Sequence, residues 1–183
     1  MTTLVEKILR LDDRLAAQHV PHAFGGALAL AYYTEDPRGT DDIDLNVFVE
    51  VDRAGSVFAS LPTEVTWKQS HVDAVRRHGQ VRVFWDHTPL DLFFENHPFH
   101  AGTARRAQSA DLAGHAIPVL DAVDLAVFKA MFDRTRDWAD IEAMLEADAL
   151  DTAAVLGHLT EMLGHDDPIT QRFARLAQAG SAP

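Results

Sequence analysis

Asp42 and Asp44 stand one residue apart in a segment, residues 42–51, where Ile43, Leu45, Val47 and Val49 alternate with Asp42, Asp44, Asn46 and Phe48. Alternation of that kind predicts a β-strand, in which residues i and i+2 project from the same face. The two carboxylates then lie side by side, with Ile43 and Leu45 anchored behind them. Acids held so close repel each other unless a cation lies between them. Mg²⁺ suits that position, because it takes hard oxygen ligands, typically one or two carboxylates completed by substrate phosphates. A further acid, Asp91, interrupts the apolar run Pro89-Leu90-Asp91-Leu92-Phe93-Phe94. An unpartnered carboxylate is costly to bury, so Asp91 is expected to have a partner. If its strand lies beside the Asp42 strand, three carboxylates converge, as a site for two metal ions ~3.5–4 Å apart requires. Two other readings stay open: a solvated strand face for Asp42 and Asp44, and for Asp91 a hairpin cap or a pair with an arginine such as Arg82.

Gly25 and Gly26 follow a short extended segment (residues 20–24) and precede a helical one (residues 27–33). Glycine there lets the backbone approach a phosphate, and a helix N-terminus offers N–H groups and the positive end of a dipole. A plain turn is the alternative. Farther along, Leu125, Phe128, Phe132, Ile141, Met144 and Leu145 keep helical spacing with no turn pair between them. On a continuous helix Lys129, Asp133, Asp137 and Asp140 would form one polar stripe, a candidate site or an ordinary solvated face. His97-x-x-His100, among 10 histidines, lacks a third ligand at a recognisable spacing and does not support a metal site.

These residues need a scaffold. Leu4, Ile8, Leu11 and Leu15 predict an amphipathic first helix. A short helix is expected over residues 52–61, strands over 64–69, 81–86 and 89–95, the last two as a hairpin, a helix over 98–109 and a strand over 116–120. Helices alone are expected after residue 121. The fold class is therefore α/β (α+β): a mixed sheet flanked by helices over residues 1–120, then a helical part, residues 121–183, packed on it. With 47 % hydrophobic residues among 183, the chain can bury a core. It has no cysteine, which excludes thiolate metal sites and disulfides. No apolar run is long enough to span a membrane, and the expected location is cytoplasmic. The net charge of −12 repels nucleic acid at long range. A polynucleotide would need a local basic patch, for which Arg76, Arg77, Arg82, Arg105 and Arg106 are the candidates; a solvated surface is the alternative.

Taken together, Gly25-Gly26-x-Ala, Arg38-x-Thr40-x-Asp42-Ile43-Asp44 and the isolated Asp91 resemble the minimal nucleotidyltransferases of the polymerase-beta-like superfamily. The form of the motif looks like the AbiEii-type group of abortive-infection (type IV toxin–antitoxin) toxins. Asp124-Leu125, Lys129, Arg134, Asp137 and Asp140 are similar to that group's helical motif. The resemblance spans roughly residues 20–145. It implies a nucleotidyltransferase-like fold and transfer of NMP from an NTP, with two Mg²⁺ ions, to an acceptor hydroxyl. It implies that Asp42 and Asp44 bind both ions, and that Asp91 binds one and helps deprotonate the acceptor. Gly25, Gly26 and Lys129 would contact the phosphates, with Asp137 also at the nucleotide. Arg38 and Thr40 would orient the acidic strand or touch the nucleotide. Implied acceptors are a tRNA 3′ end, a protein side-chain hydroxyl or an antibiotic, and a toxin would have an antitoxin partner. A non-catalytic relative that binds nucleotide or a partner is the competing class. The sequence departs from the wider superfamily in having Gly-Gly where Gly-Ser is usual, and in being shorter than many AbiEii-type toxins.

Overall fold

A computed structural model describes residues 2–36 and 39–180. It is a mixed α/β structure with a seven-stranded sheet, and the chain divides into two compact units. One comprises Met1–Leu28 and Arg38–Leu120, the other Ala29–Pro37 and Asp121–Pro183.

The first unit opens with helix α1 (Leu4–Ala17), started by a capping box in which Thr3 and Glu6 exchange hydrogen bonds. Its apolar stripe, Ile8, Leu11 and Leu15, is buried as the spacing predicts. Strand β1 (His22–Phe24) leads into helix α2 (Gly26–Thr34), whose residues from Ala29 on belong to the second unit, and β2 (Ile43–Glu50) follows. A 3₁₀ turn over Val51–Arg53 and helix α3 (Ala54–Ser60) come next. Then come β3 (Val65–Thr66), α4 (Gln69–His78), β4 (Gln80–Trp85), β5 (Thr88–Glu95), α5 (His100–Arg106), β6 (Gln108–Leu112) and β7 (His115–Val119). The strand order is β3-β4-β5-β2-β1-β7-β6. β2 pairs parallel with β5 and antiparallel with β1, so this long buried strand sits at the middle of a mixed sheet. Its inward residues Ile43, Leu45, Val47 and Val49 meet Leu90, Leu92 and Phe94 of β5 in the core.

Two local expectations fail here for physical reasons. Residues 64–69 are not one strand: pairing ends at Thr66 and Gln69 opens α4, whose Val72 and Val75, three apart, are buried. The helix expected over 98–109 stops at Arg106, because Gln108–Leu112 instead completes a hairpin with β7. That hairpin turns at Ala113 and Gly114, both at positive φ (55° and 83°), as two-residue hairpin loops require.

Lys7 is the unexpected member of the α1 face, being 4 % exposed. Its ammonium donates to the Trp85 carbonyl (2.9 Å) and the Thr88 hydroxyl (3.0 Å), and lies 3.3 Å from Asp86. It thus pins the β4–β5 turn to α1. Lys7→Ala should destabilise the protein by about 1–3 kcal/mol, because a buried carbonyl loses its donor. In a calorimetric melt that is a fall of roughly 2–12 °C, and an unchanged melt would show that the hairpin does not depend on Lys7.

The second unit holds helices α6 (Ala122–Phe132), α7 (Thr135–Glu146), α8 (Thr152–Leu163) and α9 (Pro168–Gly180). Leu125, Ala126, Ala130, Trp138, Ile141, Met144, Val155, Leu159 and Phe173 form its core. The uninterrupted helix expected over residues 125–145 is two helices. Asp133 adopts a left-handed conformation (φ 53°), ends α6, and accepts a hydrogen bond from the indole N–H of Trp138 (2.6 Å). Among the described residues no helix is long and apolar enough to cross a membrane.

Candidate active site

Register brings the acids together. In the parallel β2–β5 ladder Asp44 is opposite Asp91, and in the antiparallel β4–β5 ladder Asp91 is opposite Arg82. Register partners on neighbouring strands share a face, roughly 4.8 Å apart. Arg82, Asp91 and Asp44 therefore form a row across three strands, and Asp42 precedes Asp44 by two residues. The opposite face of the same strands carries buried Val83, Leu90, Leu92 and Leu45.

The row is electrostatically organised around Arg82. Its Nε donates to Asp91 Oδ1 (2.7 Å) and its Nη2 to Asp91 Oδ2 (2.5 Å), a bidentate pair. The same Nη2 lies 3.9 Å from Asp42 Oδ2. The hydrogen bonds to Asp91 dominate in holding the guanidinium protonated above its usual range, and the charges of Asp91, Asp42 and Asp44 add to this. The Thr40 hydroxyl donates to Asp42 Oδ1 at 2.5 Å, which orients that carboxylate.

The donor set suits Mg²⁺ chemically: hard oxygens of Asp42 and Asp91 already converge on one cation, the guanidinium, and Asp44 is in register beside them. As they stand, no three His, Asp or Glu side chains among the described residues are gathered to hold an ion. Both oxygens of Asp91 are engaged by the Arg82 guanidinium, with which an ion there would compete. The pair with Arg82, one of the alternatives for Asp91 in the sequence, is thus present in the structure.

The glycine turn is coupled to the acidic strand by direct contact. The Gly25 N–H donates to the Asp44 carbonyl (2.9 Å). A Cβ on Gly25 would lie 2.8 Å from Asn46 Nδ2, and one on Gly26 would fall onto the Asp44 carboxylate, 2.6 Å from Cγ. Gly26 also has φ +52° and is the first residue of α2, so the Asp44 carboxylate lies at that helix's N-terminus. Gly26→Ala should cost about 1–3 kcal/mol in a melting experiment, from positive φ and the clash together. In an Asp44→Ala background the clash with the carboxylate is gone, so the cost should shrink; an equal cost in both backgrounds would show that backbone strain alone is responsible. Asn46 is buried on the Asp44 face. The period-two pattern Asp42-Asp44-Asn46 is its only signal in the sequence, which does not mark it as a site residue.

In the second unit, Lys129 of α6 and Asp140 of α7 form a buried ion pair at 2.5 Å, their side chains 7 % and 4 % exposed. Asp137 accepts two hydrogen bonds from Arg134 (2.6 and 3.1 Å). Because the helix breaks at Asp133, residues 129, 133, 137 and 140 are not one stripe on one helix: Lys129 and Asp140 meet across two helices instead. Arg38 lies outside the described residues. The arginines of the candidate basic stretch are divided among α4 (Arg76, Arg77), β4 (Arg82) and α5 (Arg105, Arg106). Burial holds the His100 imidazole below its ordinary protonation range.

No family model matches the sequence, and no curated protein matches it. Solved structures do resemble it. The antibiotic-resistance factor ANT(2'')-Ia in solution superposes with a TM-score of 0.61 at 16 % identity, over 97 % of each chain. An antigenic nucleotidyltransferase-like protein from Paracoccidioides brasiliensis gives 0.56 at 14 % identity, over 96 % of this chain and 88 % of that one. ANT(2'')-Ia in complex with adenylyl-2''-tobramycin gives 0.52 at 17 % identity, over 98 % and 95 %. The fold is that of nucleotidyltransferase structures.

Proposed function

We propose that this chain is a Mg²⁺-dependent nucleotidyltransferase that moves a nucleoside monophosphate from an NTP to an acceptor hydroxyl and releases pyrophosphate. The observation that carries the reading is the in-register Asp44–Asp91 pair, with Asp42 beside it and a glycine turn closed onto Asp44. The acceptor oxygen would attack the α-phosphorus in line, and the bond from that phosphorus to the bridging oxygen of the β-phosphate would break. Asp42, Asp44 and Asp91 would hold two Mg²⁺ ions, which supply charge neutralisation at the attacking and leaving oxygens. Asp91, once released by Arg82, would take the acceptor proton. Gly25 and Gly26, without side chains, let the backbone pass close to Asp44, and the triphosphate would approach the start of α2 beside that carboxylate. Thr40 keeps Asp42 in position. The resemblance gives Lys129 a phosphate contact; its ammonium is paired with Asp140.

Two acceptor classes follow from different observations. The sequence resemblance to AbiEii-type toxins supports a tRNA 3′ end or a protein hydroxyl, and with it an antitoxin partner. The full-length structural likeness to ANT(2'')-Ia, solved with an adenylylated tobramycin, and the net charge of −12 support a cationic small molecule, which an acidic protein attracts. A non-catalytic nucleotide- or partner-binding module has no need of a convergent acid row, which counts against that class. The test is incubation with each α-³²P-labelled NTP, Mg²⁺, and tRNA, cell lysate or an aminoglycoside panel. Label on one acceptor with wild type and none with Asp42→Ala/Asp44→Ala identifies the reaction and its acceptor together. Absence of label on every acceptor rejects transfer to both classes and favours the binding module.

A further inference from the structure

We propose that Arg82 is the internal counter-ion of the acidic row, a side chain that a divalent cation must displace, and that Arg82 thereby sets the metal affinity of the site. The inference rests on the reading of Asp42, Asp44 and Asp91 as metal ligands.

Three observations carry it. First, the guanidinium occupies both oxygens of Asp91, at 2.7 and 2.5 Å, and the same fork lies 3.9 Å from Asp42. Mg²⁺ needs oxygens at roughly 2.0–2.1 Å in a strict octahedron, so an ion at Asp91 competes with the guanidinium that already engages both oxygens of that carboxylate. Second, the arrangement is built into the hairpin. Arg82 is the β4 residue opposite Asp91 in the ladder, and the Lys7 clamp at Trp85 and Thr88 holds that hairpin in register. Third, the Arg82 side chain is 51 % exposed, whereas that of Asp91 is 18 % exposed. The cation can leave into water at little cost in solvation, while the acid stays behind to receive an ion. Without a cation, three neighbouring carboxylates would repel one another; the guanidinium relieves that repulsion until metal and nucleotide arrive. If Arg82 were only a strap across the hairpin, its removal would loosen Asp91 and weaken metal binding. Displacement predicts the opposite sign.

The experiment is Mn²⁺ binding followed by the EPR signal of the free ion, without nucleotide, on the full chain. Wild type, Arg82→Gln, Arg82→Lys and Asp44→Asn are compared, each checked for folding by circular dichroism. Arg82→Gln should bind Mn²⁺ about tenfold more tightly or better, because one positive charge in contact with a ligand is removed. Arg82→Lys should show a smaller gain, since a point charge cannot hold both carboxylate oxygens. This variant decides the matter if Arg82→Gln fails to fold. Equal or weaker binding in both Arg82 variants, with Asp44→Asn abolishing it, overturns the counter-ion role and leaves the metal reading standing. No Mn²⁺ binding by any variant at millimolar concentration overturns both.

Discussion

Asp44→Ala should lower NMP transfer by about 10²–10³-fold or more, the scale seen when a group that stabilises transition-state charge is removed. It should do so with the fold intact. Asp44 neighbours both other acids, opposite Asp91 and two residues from Asp42, with its carboxylate against the first residue of α2. Asp44 joins the acidic row to the glycine turn, so on the proposed function its loss would remove a metal ligand and the link to the triphosphate end of the site. The fold survives because the core contacts of β2 come from Ile43, Leu45, Val47 and Val49 on the other face. Removing one of several neighbouring negative charges also relieves repulsion. The expected result is a cooperative melt with at most a modest change in melting temperature alongside lost transfer. Retention of full activity would sink the metal assignment; a collapsed melt would show that Asp44 is a structural acid.

Lys129→Ala should have the largest effect on stability, a loss of about 3–5 kcal/mol, because it strands Asp140 as a buried charge. Both side chains are nearly inaccessible, so water cannot replace the missing ammonium. The cost should appear as a fall of roughly 6–20 °C in the melt, if the whole chain unfolds together. Asp140→Ala should cost a similar amount by stranding Lys129. The double variant Lys129→Met/Asp140→Leu should recover most of the loss, since exchanging a buried pair for apolar side chains is often neutral or stabilising. That variant also separates the two roles open to Lys129. If it is stable and still transfers NMP at the wild-type rate, the lysine is a structural cation of the helical unit. If it is stable and inactive, the pair is needed for transfer, in line with the phosphate role that the resemblance implies for Lys129.

Much of the site can be read along the chain because its parts are periodic and local. Asp42 and Asp44 share a face by the two-residue repeat of a strand. Glycine at 25 and 26 signals an unusual backbone, and the 3–4 spacing of Ile8, Leu11 and Leu15 specifies the buried stripe of α1. These properties follow from residue type and short-range geometry. Other features depend on which strand lies beside which. The parallel register that sets Asp44 opposite Asp91, and the hairpin register that sets Arg82 opposite Asp91, join residues 47 and 9 positions apart. Burial on the far face of the sheet selects those registers, since a one-residue slip would turn Leu90 and Leu92 out to solvent. The same holds for Gly26, whose need to be glycine comes from the Asp44 carboxylate standing where a Cβ would go. In the helical unit, spacing alone suggests one continuous stripe through Lys129 and Asp140. The left-handed Asp133 and its bond from Trp138 break it, and the ion pair forms across two helices because a buried lysine must find an acid wherever packing supplies one. Residue types and their periods thus determined which groups could do chemistry; tertiary pairing decided which of them meet, because pairing is set by burial between distant segments and not by spacing within one.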